Sequence, residues 1–293
     1  MAGKAVALAV ACSIAALPLA GCTAGGQAPP AHLGLDPFYV RYRDAGGIAV
    51  VSSARVESEA LAKASRMIDD MLAHRPDLRA VLSQRGYRVA IMAESEAITD
   101  LPENAHWTKP AKDDPRLTRC ERKHYEERIG RLSDREYWNA RARGIGGRFT
   151  VAAEEDVLGR PTSRYYGETI LVHEFAHNVL DAIQAADPAL YGQIEQAYAA
   201  ALDEGLWKDE YASTTVQEYW AEGTQFWFNS NRLAVFDGRR ILNHADLAAY
   251  DPRLAAALAQ AYGKRHRLAA DPFYRHPARV PPGPIPENTA EVC

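Results

Sequence analysis

An α+β fold is predicted by three observations. Strand-like stretches are few and precede most of the helical ones, helical periodicity dominates the second half of the chain, and neither an internal repeat nor a second linker divides it. Tyr39 to Val51 reads as a short extended stretch broken by Gly46-Gly47. From Ser53, a reasonable N-cap, apolar residues recur at Val56, Ala60, Leu61, Ala64, Met67, Ile68, Met71 and Leu72, which is helical spacing. A second short helix follows from Pro76 to Gln84, and Tyr87 to Ala93 reads as a strand. Asp100 to Arg119, with Pro102, Pro110 and Pro115, is mostly loop. Ser133 and Glu136 form a capping-box pattern for a helix reaching Arg143, and Gly144 to Gly147 breaks it. Arg148 to Ala153 reads as a strand.

The second half is helical. A strongly apolar helix begins near Glu168 or Thr169. Asp187-Pro188 opens another, with Asp as N-cap and Pro at the first helical position, and Gly205 stops it. Thr215 and Glu218 make a second capping-box pattern, for a helix through Phe228. One or two helices cover Asp246 to Tyr262, and the Pro-rich tail from His266 is irregular. One compact domain, residues 35–280, followed by a tail at 281–293, is the simplest organisation.

The chain has 293 residues, of which 47% are hydrophobic and 25% charged, enough to bury a sizeable core. A net charge of −4 argues against a nucleic-acid partner, which needs a basic surface. Arginines are dense from Arg116 to Arg148, but Glu121, Glu126, Glu127, Asp134 and Glu136 are interleaved, as on a solvated face with local ion pairs.

Residues 1–21 carry a targeting signal. Lys4 precedes an apolar run from Ala5 to Ala20, too short for a spanning helix. It ends in Leu19-Ala20-Gly21-Cys22, which looks like the lipobox of a bacterial lipoprotein, with Cys22 acylated as the mature N-terminus. Lipid chains would anchor the protein to the cell envelope, and Thr23 leans towards the outer membrane in a Gram-negative cell. Residues 22–34, rich in Gly, Ala, Pro and Gln, read as a flexible tether. In an oxidising compartment Cys120 and Cys293 can pair, which would clip the tail to the middle of the domain; two unrelated thiols are the alternative.

Chemistry concentrates in Ile170-Leu171-Val172-His173-Glu174-Phe175-Ala176-His177-Asn178, which contains HExxH. On a helix, positions i and i+4 share one face, so His173 and His177 can present two imidazoles to one zinc ion. Glu174 is one position on, able to face a water on that ion and take its proton. Unpaired polar groups on a buried helix are costly, and a metal would satisfy them. A catalytic zinc needs a third protein ligand and an open position. Glu218-Tyr219-Trp220-Ala221-Glu222 supplies two carboxylates on one face of another helix. One could bind zinc, and the other could hold a ligand histidine by its second ring nitrogen. Two surface glutamates are the competing reading, which Trp220, Phe226, Trp227 and Phe228 disfavour because they make this helix too apolar to be wholly exposed. His32, His74, His106, His124, His244, His266 and His276 show no ligand spacing.

HEFAH, then Tyr211, then Glu218 seven residues later in EYWAE, resembles the zinc peptidase domain of anthrax lethal factor and its relatives, including secreted Pro-Pro endopeptidases. The resemblance covers about Glu168 to Phe228 and the lipid anchor departs from it. It implies a zincin-like fold of the gluzincin type, with a small sheet and the HExxH helix packed among several others. It also implies that Glu218 is the third ligand and that Tyr211 donates a hydrogen bond to the developing oxyanion. Glu222 is then left to support a ligand histidine. In such enzymes an edge strand beside the zinc helix pairs with the extended substrate backbone. Arg148 to Ala153 is the expected strand, with Glu154, Glu155 and Asp156 a solvated strand end and Asp181 a polar residue one turn after His177.

The resulting expectation is a zinc-dependent endopeptidase that hydrolyses a peptide or protein substrate, with Glu174 as general base. Two alternatives remain open at this point. One is a non-catalytic zinc-binding surface lipoprotein, and the other is a zinc hydrolase acting on a non-peptide amide or ester.

Overall fold

In the computed structural model of the protein, residues 27–285 and residue 289 are described. The signal, the lipobox cysteine and Cys293 lie outside the described residues. The fold is mixed α+β, a five-stranded sheet with many helices.

The first strands, β1 (Arg41–Ala45) and β2 (Ile48–Ser52), form a hairpin. Gly46 and Gly47, both at positive φ, make its turn, a geometry costly for any residue with a Cβ. Next comes α1 (Ser58–Met71), four residues later than an N-cap at Ser53 suggests. Ser53 instead accepts the Arg55 N–H in the preceding loop, and Glu57 holds the N-cap position without a side-chain cap. Helix α2 (Pro76–Gln84) and strand β3 (Arg88–Met92) follow as their patterns indicate. The proline-rich region is loop with short 3₁₀ turns, then the short helix α3 (Arg119–Lys123). Helix α4 (Asp134–Arg141) starts with the reciprocal Ser133–Glu136 capping box.

Gly144 and Ile145 are not merely a break; they form β4, antiparallel to β5 (Phe149–Ala153). The strand order is β1-β2-β3-β5-β4. Thus β5 lies between β3 and β4, with its hydrogen bonds taken on both sides, and β4 is the edge. The acidic cluster, expected as a solvated strand end, is buried. Glu154, Glu155 and Asp156 open α5 (Glu154–Leu158) at 5%, 4% and 0% exposure. Each carboxylate has work to do inside. Glu154 accepts the Glu57 N–H at the start of α1 (2.9 Å), Glu155 pairs with Arg143 (2.8 Å), and Asp156 accepts the Ile170 N–H (3.0 Å).

The remaining elements are α6 (Ile170–Ala186), α7 (Pro188–Asp203), α8 (Val216–Trp227), the hairpin β6 (Ala234–Phe236) and β7 (Arg239–Ile241), α9 (His244–Tyr250) and α10 (Pro252–Tyr262). No helix among the described residues is long and apolar enough to cross a membrane.

The sheet is buried on both faces. Val50, Val89, Ile91 and Ala152 pack into the large core shared with the helices, while Val51, Ala90, Met92 and Val151 face a second core containing Tyr39, Ile98 and Leu101. That two-sided burial is why Val89 to Met92 reads as an unbroken apolar run. In the helical layer α6 docks on α8, where the Trp220 indole N–H donates to the Ala176 carbonyl at 3.1 Å. Cys120, on α3, is disulfide-bonded to a partner outside the described residues. Its neighbour Glu121 holds Arg141.

Candidate metal centre and cleft

Two helices bring the chemistry together. On α6, His173 and His177 lie one turn apart, with ring centroids separated by 5.1 Å. On α8, Glu218 faces them. Thr215 caps this helix by accepting the Glu218 N–H (3.1 Å), while the Glu218 carboxylate turns to the histidines instead of closing the capping box. Its Oε2 lies 3.0 Å from His173 Nε2 and 3.8 Å from His177 Nε2. One ligand atom from each of the three residues falls within 4.8 Å of the others. Tetrahedral zinc with donors at about 2.0–2.1 Å needs them roughly 3.3 Å apart. Two imidazole nitrogens and one carboxylate oxygen at these separations fit that ion.

His173 is supported from behind. Its Nδ1 lies 3.1 Å from Gln225 Oε1 and 3.5 Å from Glu222 Oε1. The sequence directs attention to Glu222; Gln225, nearer and fully buried, was missed. The signal was there, because 218, 222 and 225 follow the i, i+4, i+7 spacing of one helix face. Glu222 also accepts from Asn231 (2.9 Å). Asp181, by contrast, bonds the Tyr87 hydroxyl (3.1 Å).

Electrostatics divide the two histidines. Burial disfavours a charged His173, but the hydrogen bond to Glu218 and the carboxylates of Glu174 and Glu222 prevail and hold it up at about 10. Burial, and then the charge on His173, push His177 down to about 4. Glu174 is pushed up to about 7, chiefly by burial, with His173 and a Gly146 N–H opposing and Glu218 assisting. A bound zinc would replace the hydrogen bond between His173 Nε2 and the Glu218 carboxylate. A zinc ligand must be deprotonated. Metal uptake at pH 7 should therefore release a proton from His173 and none from His177, which is already neutral. Titration in buffers of different ionisation enthalpy measures that release. Apparent affinity should rise with pH until His173 is neutral in the free protein; pH-independent uptake without proton release would contradict the assignment.

The edge strand lies against this helix. A Cβ on Gly144 would come within 3.0 Å of Glu174 Oε1, and one on Gly146 within 2.6 Å of His177 Cδ2. At Gly146 only glycine permits that approach, whereas at Gly144 the Glu174 side chain would have to give by a few tenths of an ångström. Asn178, directly after HEFAH, bonds Thr150 (2.6 Å) and accepts the Gly147 N–H (3.3 Å), so the helix also fixes the turn after β4. Arg143, before β4, is a buried exception to the solvated arginine face. It pairs with Glu155 and donates to the Glu96 and Ala93 carbonyls. Gly146→Ala should push the His177 ring aside and weaken metal binding by about 10–100-fold, the cost of disturbing a ligand's support. A chelator competition assay reads this directly, and unchanged affinity would contradict the close approach.

Tyr211 stands beside the metal cluster on a 3₁₀ turn. Its ring stacks towards His173 with centroids 6.4 Å apart, and the Glu218 carboxylate acts on its hydroxyl. Burial, followed by the Glu218 charge, raises the phenol well above its usual value, so it stays an O–H donor at neutral pH. Tyr211 as a whole is 44% exposed, and it lines the cleft. Trp207 anchors the loop that carries it. Fully buried at positive φ, Trp207 bonds Asp251 through its indole (3.0 Å) and the Tyr250 hydroxyl through its N–H (2.6 Å).

His173, Glu174, His177, Tyr211, Glu218 and Gln225 line one cleft of about 900 Å³, which also touches Gly144, Glu210, Phe226 and Phe236. No protein-family model matches the chain, and no curated protein does. Among solved structures it is similar to a Pro-Pro endopeptidase from Paenibacillus alvei. The two chains are 14% identical, with a TM-score of 0.47, over 72% of this chain and 96% of that one. A likeness that distant assigns no residue a role, and the functional reading stands on the cleft itself.

Proposed function

We propose that the protein is a zinc-dependent endopeptidase. The observation that carries this is the convergence of His173, His177 and Glu218 in an open cleft that also holds the Glu174 carboxylate. His173, His177 and Glu218 would hold the ion. Zinc, when bound, acts as a Lewis acid that makes water acidic near neutral pH and polarises a carbonyl.

This chain's residues supply the rest. Glu174, with a proton affinity near neutrality, takes a proton from the attacking water and passes it to the leaving amine. Tyr211 donates its hydroxyl hydrogen to the oxyanion. Gln225 and Glu222 fix the His173 ring through Nδ1. The free edge of β4, beside Glu174, offers backbone groups to an extended peptide, which favours a peptide over a small amide or ester. Tyr211→Phe should lower kcat by about 10²–10³-fold with zinc still bound, the usual loss for one oxyanion donor.

The competing reading, a closed structural or binding zinc, fits a cleft of this size poorly. Binding of a small hydroxamate to the zinc-loaded protein separates the two. An open position accepts it, and a saturated ion refuses it. We also propose that the chain is exported and lipid-anchored through Cys22 to the bacterial envelope. The proposed partner of Cys120 is Cys293, which mass mapping of the non-reduced protein would test.

A further inference from the structure

Described residues near the C-terminus, Pro281, Ile285 and Thr289, reach the same cleft. The chain is fixed as far as Arg279, a buried side chain that donates to the Asn231 carbonyl (2.8 Å), while the Leu233 N–H donates to the Arg279 carbonyl (2.7 Å). Beyond that point Pro281, Ile285 and Thr289 line the cleft that contains His173, Glu174 and Tyr211. Thr289 Oγ1 makes two hydrogen bonds to the cleft wall. It donates to Glu210 Oε2 (2.7 Å) and accepts the backbone N–H of Tyr211 (2.8 Å).

That wall is built for an occupant. Glu210 is 2% exposed with Thr289 beside it. Its Oε2, which accepts from the Thr289 hydroxyl, and the backbone N–H of Tyr211, which donates to that same hydroxyl, make a donor–acceptor pair. A peptide amide matches such a pair with its own N–H and C=O. The Thr289 hydroxyl matches it too, donating once and accepting once.

We propose that the C-terminal segment is an intramolecular occupant of the substrate cleft, seated by Thr289 on the Glu210–Tyr211 wall, and that peptide must displace it to bind. Chain connectivity favours the seated state. A tethered segment acts at an effective concentration of about millimolar, so two hydrogen bonds suffice to compete. Pro281, Pro282 and Pro284 stiffen it and reduce the entropy lost on seating. The device rests on the peptidase reading only for the identity of the displaced ligand.

Thr289→Val and Thr289→Ser in the full chain test it by two independent readouts. The first is hydrogen exchange at the Tyr211 amide, which needs no turnover. Exchange should be faster in Thr289→Val, close to wild type in Thr289→Ser, and slowed again in Thr289→Val by a synthetic peptide of residues 281–290. The second is peptide cleavage. Thr289→Val should show a KM lower by on the order of tenfold at unchanged kcat, with Thr289→Ser like wild type. Equal Tyr211 exchange in all three proteins would overturn the seating. Faster exchange with an unchanged KM in an active enzyme would overturn the competition. If no protein cleaves peptide, the peptidase reading fails, and the exchange results still decide whether the segment is seated.

Discussion

Glu174→Gln should retain zinc and lower kcat for peptide cleavage by about 10²–10⁴-fold, the range for a general base. Glutamine keeps the shape of the side chain and an oxygen for the Gly146 N–H, but it cannot take a proton. Two features tune the native group for the task. Burial raises its proton affinity to about 7, and β4 packs against it so closely that a Cβ on Gly144 would come within 3.0 Å of the carboxylate. The carboxylate is therefore both basic and held in place. Metal content measured beside the rate separates loss of the base from loss of the site. A variant with full zinc and near-native turnover would remove Glu174 from this role.

The second large effect concerns the ligands. His177→Ala should abolish stoichiometric zinc binding, and activity with it, because a two-ligand site is left. The loss should far exceed that of Gln225→Ala, where only the support of His173 is removed and about 10–100-fold in affinity is at stake. The contrast is informative because both side chains lie in one cleft. If the two variants lost zinc equally, the ligand set would need revision. His177→Ala should fold, since the α6–α8 contact rests on Phe175, Ala176 and the Trp220 bond rather than on His177.

What the sequence made legible was local or periodic. HExxH on a helix, the Thr215 cap, the Gly46-Gly47 turn and the Val89–Met92 strand all depend on neighbouring residues, and each lies where its pattern indicates. What it hid depends on distant ones. Nothing in Glu154-Glu155-Asp156 says that three backbone or side-chain partners await them inside, from Glu57, Arg143 and Ile170. Consecutive carboxylates look solvated until tertiary structure supplies donors. The edge strand was missed for a similar reason. Arg148 to Ala153 has the stronger strand composition, while Gly144-Ile145 forms a strand only because β5 offers it a partner. Its glycines signal close approach to α6 rather than a break. Thr289 could not be placed at all, since its role depends on a contact with Tyr211, 78 residues away in sequence.

The most direct test is metal analysis combined with peptide-library cleavage on a soluble form beginning after Cys22. We expect one zinc per chain and cleavage of peptides in their interior, both lost in His177→Ala. A chain that binds no zinc, or that holds one zinc and cleaves nothing while refusing a hydroxamate, would contradict the proposal that this cleft is the active site of a metallopeptidase.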